Sequence, residues 1–168
     1  MEHRAIFMYN QAMWYRLSMD YGRRLVAAGA YSRPGSRKPN RVFRPTDWHL
    51  IQIQLAGRRS MSYEGVGHEL RPGDLTINLA GREYPNRGRI HDYAALHVRV
   101  EPLAGDVAVA EPGFDPGAVY LQPVVDTCGH PRLGDCIETI ARELRSSLPL
   151  SRQAASVEFH RFLVDLGR

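Results

Sequence analysis

The stretch Glu69-Leu70-Arg71-Pro72-Gly73-Asp74-Leu75-Thr76-Ile77-Asn78 most narrows what this chain can fold into. Pro72, with φ fixed near about −65°, suits position i+1 of a β-turn. Gly73 supplies the left-handed conformation at i+2, and the Asp74 carboxylate can bond the turn's backbone. Leu75, Ile77 and Leu79 then alternate with polar residues, which gives the outgoing strand one apolar face. Strand, tight turn and new strand at mid-chain point to an antiparallel β architecture. The turn by itself is scaffolding, so the flanking residues must decide the rest.

Those residues agree with it. Asp47-Trp48-His49-Leu50-Ile51-Gln52-Ile53-Gln54-Leu55 has a period of two. It places His49, Ile51, Ile53 and Leu55 on one face and Trp48, Leu50, Gln52 and Gln54 on the other. Arg24 to Tyr31, Ser60 to Tyr63 and His68 to Leu70 are further strands. So is Tyr93 to Val100, with Leu96, Val98 and Val100 opposite Ala95, His97 and Arg99. Short strands with turn signals every 8–12 residues mean a barrel or sandwich. Residues 1–22 carry Phe7, Tyr9, Trp14, Tyr15 and Tyr21 without a clean period and read as an arm with at most one short helix. From Pro131 the spacing becomes helical: Leu133, Ile137, Ile140, Ala141, Leu144 and Leu148 share one stripe. Pro149 breaks it. Ser151 then reads as the N-cap of a second helix with the stripe Ala155, Phe159, Phe162, Leu163 and Leu166.

Composition excludes several classes. The 168 residues are 43% hydrophobic and 24% charged, ordinary for one folded domain. No run approaches the roughly 18 apolar residues of a membrane span, and no leader opens the chain. Cys128 and Cys136 match no zinc spacing and suit a reducing compartment, so a cytoplasmic location is expected. Net charge is +4, and of 22 Lys+Arg residues only Lys38 is lysine. The arginines never cluster beyond a pair, unlike the gathered basic face of a nucleic-acid binder.

In this order, the strand Trp48–Leu55 ending in Ala56-Gly57, His68-Glu69-Leu70-Arg71-Pro72-Gly73-Asp74, Gly81, Tyr93–Val100, Glu101-Pro102 and two helices resemble the N-terminal ligand-binding and dimerisation domain of AraC-type transcription regulators. The resemblance spans roughly residues 24–166. It implies a mainly β fold with C-terminal α structure: a cupin (jelly-roll) barrel followed by two amphipathic helices. The implied division is an N-terminal arm (1–23), an effector-binding barrel (24–125) and a helical dimerisation segment (126–168). It also implies a small-molecule effector in the barrel and a homodimer through the C-terminal helix, at Ala155, Phe159, Phe162, Leu163 and Leu166. DNA would be bound only through a C-terminal helix-turn-helix domain, whose linker would begin near Leu166-Gly167-Arg168.

Many cupins hold a metal through a His-x-His pair and a later histidine. Here Gly57 through Leu70 contains only His68, and Tyr84 stands three residues after Gly81 where that later histidine belongs. A phenol is a poor substitute for imidazole. His49, His91 and His97 are scattered. Ser60, Ser62 and Cys128 lack a nucleophile motif, and Gly65-Val66-Gly67 opens no helix. No metal, cofactor or catalytic residue is therefore expected; the alternative is a small stand-alone cupin enzyme acting on a metabolite. For the effector, His97, Ala95 and Arg99 on one strand, Trp48, Gln52 and Gln54 on another, and Tyr84 at the barrel mouth are the candidates. The arginine that sugar-binding relatives place before the Gly of the first long strand is Ala56 here, which argues against a sugar.

Overall fold

The computed structural model describes residues 13–20, 25–33, 42–86, 93–128 and 130–167. Among them are the strands β1 (Trp14–Ser18), β2 (Leu25–Arg33), β3 (Val42–Phe43), β4 (His49–Gly57), β5 (Arg59–Tyr63) and β6 (Val66–Leu70). Then come β7 (Asp74–Asn78), β8 (Tyr84–Pro85), β9 (Tyr93–Val100), β10 (Val107–Val109), β11 (Ala118–Leu121) and β12 (Val124–Asp126). The helices α1 (Pro131–Arg145) and α2 (Ser151–Leu166) follow.

Strand pairing is nested: β5 with β6, β4 with β7, β3 with β8, β2 with β9, all antiparallel. A long antiparallel hairpin rolled up in this way is a jelly roll, with two sheets facing each other. One sheet has the order β12-β7-β4-β9-β2. Opposite it are the β3–β8 and β5–β6 ladders, linked by a bridge between Met61 and Asn86, and a further three-stranded sheet has the order β10-β1-β11. A jelly roll followed by two helices is the fold expected from the sequence.

The short helix expected within residues 1–22 is not what the described part of that segment forms. Trp14–Ser18 is a strand between β10 and β11, with Tyr15 and Leu17 buried and the residues between them half-buried. Phe7, Tyr9 and Tyr21 lie outside the described residues. β10, β11 and β12 have three or four residues each, too short for a period to show in the sequence.

The Arg71–Asp74 turn forms as its residues dictate. Gly73 has φ 95°, the Asp74 N–H donates to Arg71 O at 3.0 Å, and the Arg71 N–H donates to Asp74 Oδ2 at 2.6 Å. It also grips its surroundings. The Gly73 N–H donates to Gln54 O at 2.9 Å, and Gly73 O accepts from the Thr127 N–H and hydroxyl. A Cβ on Gly73 would stand 2.9 Å from Cys128 Sγ.

A buried pair joins the layers. The Ala80 N–H donates to His49 Nδ1 at 2.8 Å, so the ring proton sits on Nε2, which donates to Asp106 Oδ2 at 2.9 Å. Asp106 also accepts from the Ser18 and Leu103 N–H groups, each at 2.8 Å. His49, one of the scattered metal candidates, is thus committed to structure.

α1 packs on β9 and β2, burying Leu133, Cys136, Ile137, Ile140 and Ala141, with Pro131 in its first turn as expected. The expected N-cap role of Ser151 is corrected. Leu150 holds the cap position with φ 69°, no side chain caps the helix, and Ser151 is its buried first residue. The stripe expected to pair two subunits is also corrected. Ala155, Phe159, Phe162 and Leu163 are fully buried within this one chain, and Leu166 packs half-buried against the same core. α1 covers that stripe; the exposed large apolar residues of α2 are Val157 and Val164. His160 ties α2 to the end of β1, its Nε2 lying 3.0 Å from Asp20 O.

Two substitutions test this framework by urea unfolding. Asp106→Ala strands three donors, of His49, Ser18 and Leu103, and is expected to cost about 3–5 kcal/mol. Gly73→Ala places a methyl at a positive φ and against Cys128, and is expected to cost about 1–3 kcal/mol. A loss below about 0.5 kcal/mol in either would contradict the role given to that residue.

Candidate ligand-binding site

The large sheet has two chemically different faces. On one, Ile51 stands between Ile77 and Val98, and Ile53 between Leu75 and Leu96. This face is covered by helix: a Cβ on Gly134 of α1 would lie 3.5 Å from Ile53 Cδ1. On the other face, Gln52 stands between Thr76 and His97, Leu50 between Asn78 and Arg99, and Gln54 beside Ala95. Contacts to the second sheet show that this polar face looks into the barrel. Tyr63 Oη of β5 donates to Asn78 Oδ1 at 3.2 Å, and Gln54 Nε2 donates to Leu70 O of β6 at 3.0 Å.

Burial inside the barrel is deep. Gln52, Gln54 and Ala95 are each 1% exposed, and Thr76 and Asn78 are fully buried. His97 and Arg99 are half-buried, as is Trp48. His97 has room because Gly29 lies across the ladder from it; a Cβ there would sit 3.3 Å from the imidazole Cε1. At one end of this face the Arg99 guanidinium lies over the Trp48 ring, 4.6 Å from its centroid. At the other, six residues or roughly 20 Å along β9, Arg59 lies over the Tyr93 ring at 5.0 Å.

Some of these polar groups are not spent on the protein. Gln54 Oε1, Arg59 Nε and Nη2, and Arg99 Nε are buried and have no hydrogen-bond partner. Such atoms are rare in folded proteins, because burial without a partner costs on the order of 1–3 kcal/mol each. Burial holds His97 below its ordinary pKa, and the Arg99 charge adds to this. The ring is therefore neutral near pH 7, able to donate from one nitrogen and accept at the other.

The structure brings six of the seven expected ligand contacts onto this face or its end: Trp48, Gln52, Gln54, Ala95, His97 and Arg99. Tyr84 stands on β8, and its expected place at the barrel mouth is corrected. It is fully buried rather than at a mouth, and its hydroxyl accepts from the Leu79 N–H at 2.6 Å. Its ring packs 5.1 Å from that of Tyr63, and burial pushes its pKa up to about 12. Among the described residues no three His, Cys, Asp or Glu side chains come together in a way that could hold a metal ion. His91 lies outside the described residues.

Arg59, Tyr63, Asn78 and Tyr93 had not been singled out. The signal for Arg59 was available. Arg59, Met61 and Tyr63 alternate onto one face, which puts an arginine in line with two large buried side chains. Outside the barrel, Ser62, Glu64, Gly65, Arg82, Glu83 and Pro85 line a surface depression of ≈ 570 Å³. There the Arg82–Glu64 ion pair, at 2.7 Å, satisfies the charges.

No protein-family model matches this sequence, and no curated protein sequence does. Solved structures resemble it in shape. The AraC-like transcriptional activator CuxR superposes with a TM-score of 0.48 at 13% identity, over 93% of this chain and 52% of that one. This chain thus spans about half of that regulator. A cupin protein from Bacteroides fragilis gives 0.36 at 14% identity, over 55% of this chain and 76% of that one. A predicted oxalate decarboxylase from Thermotoga maritima gives 0.37 at 14%, over 52% and 90%. Structural neighbours of this chain thus include an AraC-like regulator and cupin proteins.

The lowered pKa of His97 has a sign that can be checked. Its folded value lies below the unfolded value of about 6.5, so the unfolded chain takes up the proton first. Stability from this residue is complete above about pH 6.5 and is lost as the pH falls. His68, held low by burial, contributes in the same direction. The melting temperature between pH 7 and pH 5 should fall more for the natural chain than for His97→Gln, which retains His68. Equal falls would contradict a desolvated His97.

Proposed function

We propose that this chain is the effector-sensing domain of an AraC-type transcription regulator, binding a small molecule inside the barrel. The observation that carries this reading is the polar inward face of β4 and β9. A barrel built only for stability would fill its interior with aliphatic side chains. This one points Gln52, Gln54, His97 and Arg99 inward and leaves Gln54 Oε1 and Arg99 Nε buried without a hydrogen-bond partner. A concave interior with a few convergent polar groups is the usual form of a small-molecule site.

Binding is the function this set supports, since Gln52, Gln54, His97 and Arg99 are hydrogen-bond donors and acceptors and none carries a hydroxyl or thiol. In this reading the effector bridges His97 and Gln52 across the β4–β9 ladder, with the Arg99–Trp48 pair closing one end. DNA recognition belongs to a separate helix-turn-helix domain, as in AraC-type regulators. Assembly into a homodimer would have to use a surface other than the Ala155–Leu163 stripe, which is buried inside the chain.

A thermal-shift screen of small metabolites tests the reading. At least one compound should raise the melting temperature of the natural chain. His97→Ala should weaken its binding about tenfold, one lost hydrogen bond's worth, with little change in the melting temperature without ligand. Undiminished affinity in that variant would overturn the assignment of the site.

A further inference from the structure

Arg59 is 5% exposed and carries a guanidinium cation. A charge this deep is ordinarily paired with a carboxylate, because desolvating it alone is costly. Arg59 takes part in none of the ion pairs of the described residues. The Tyr93 ring covers one flat side of the guanidinium but uses none of its in-plane N–H bonds.

The two unpartnered atoms, Nε and Nη2, lie on one edge of the planar fork. That edge takes a carboxylate through two parallel hydrogen bonds. Gln54 supplies a complementary group beside it. Its Nε2 is held by Gly57 O at 2.8 Å and Leu70 O at 3.0 Å, which fixes the amide's orientation and leaves Oε1 buried and unused. Leu70 is also the cross-strand partner of Arg59, so both residues are tied to the same position of β6. Ala95, opposite Gln54 in the ladder, contributes only a methyl group.

We propose that this end of the barrel binds the carboxylate of a small organic acid, held on Arg59 Nε and Nη2, with a hydroxyl or amino group of the same molecule donating to Gln54 Oε1. The proposal rests on the barrel being a ligand site and names the class of ligand. A carboxylate is favoured over a phosphate because one buried guanidinium neutralises a single negative charge, whereas a dianion would keep an unpaired charge in a desolvated place.

Formate is the smallest probe of this site and needs no knowledge of the rest of the ligand. The melting temperatures of the natural chain and of Arg59→Met are compared in potassium chloride, formate and phosphate at equal ionic strength. Formate at about 100 mM should raise the natural chain about 2–4 °C above its value in chloride. Arg59→Met should show no such rise, and should melt in chloride at or above the natural chain because an uncompensated charge is gone. Arg59→Lys keeps the charge but loses the paired edge, and should lose most of the formate response. A formate effect that is absent, equal in all three proteins, or matched by phosphate overturns the proposal. Should it fail while a neutral metabolite still binds in a His97-dependent way, the barrel remains a ligand site and only the acid class is lost.

Discussion

The register of β4 is the constraint on which the rest of this structure depends. Side chains on a strand alternate, so a slip of one residue would exchange Ile51 and Ile53 for Gln52 and Gln54. Here both faces are buried, and the slip would be penalised on each. The helical layer requires the aliphatic set, and the barrel interior accommodates the polar one. Local devices hold the register. The Gly73 N–H seizes the Gln54 carbonyl from the side, and a bulge between Gln54 and Ala56 ends the alternation, so that Leu55 is left 46% exposed.

Structure and site are therefore separable here. Asp106, His49, Tyr84 and the Arg71–Asp74 turn spend their polar groups on backbone and on one another, and leave nothing for a ligand. Gln54 does both: its Nε2 is structural, while its Oε1 is left over. Arg59 carries the opposite balance, with a buried charge and an unused donor edge. A protein that keeps such groups inside a barrel bears a stability cost, which a bound partner of matching chemistry would offset. That contrast is the physical ground for reading the interior as a site.

Much of this was legible in the sequence, for identifiable reasons. β4, β9 and α1 are long enough for their periods to show, and Pro72-Gly73 permits few alternatives to its turn. His97, Gln52 and Gln54 stood out because they alternate with aliphatic residues on long strands. Other features were not legible. A stripe such as Ala155, Phe159, Phe162 and Leu163 says that something covers it, but not whether that is α1 of the same chain or a second subunit. β10 to β12 are too short to carry a pattern. Tyr84 was placed by counting from Gly81, which locates the residue along the chain but not its depth. Arg59 differs from these: its alternation with Met61 and Tyr63 is in the sequence, but a strand begun at Ser60 leaves it out.

The most direct measurement is a crystal structure of the protein grown with a compound that raises its melting temperature. The account predicts ligand density inside the barrel, between β4 and β9 on one side and β5 on the other, within hydrogen-bond distance of His97 or of the Gln54–Arg59 pair. Density confined to the outer depression at Glu64 and Arg82, with none beside His97, Gln54 or Arg59, would contradict it.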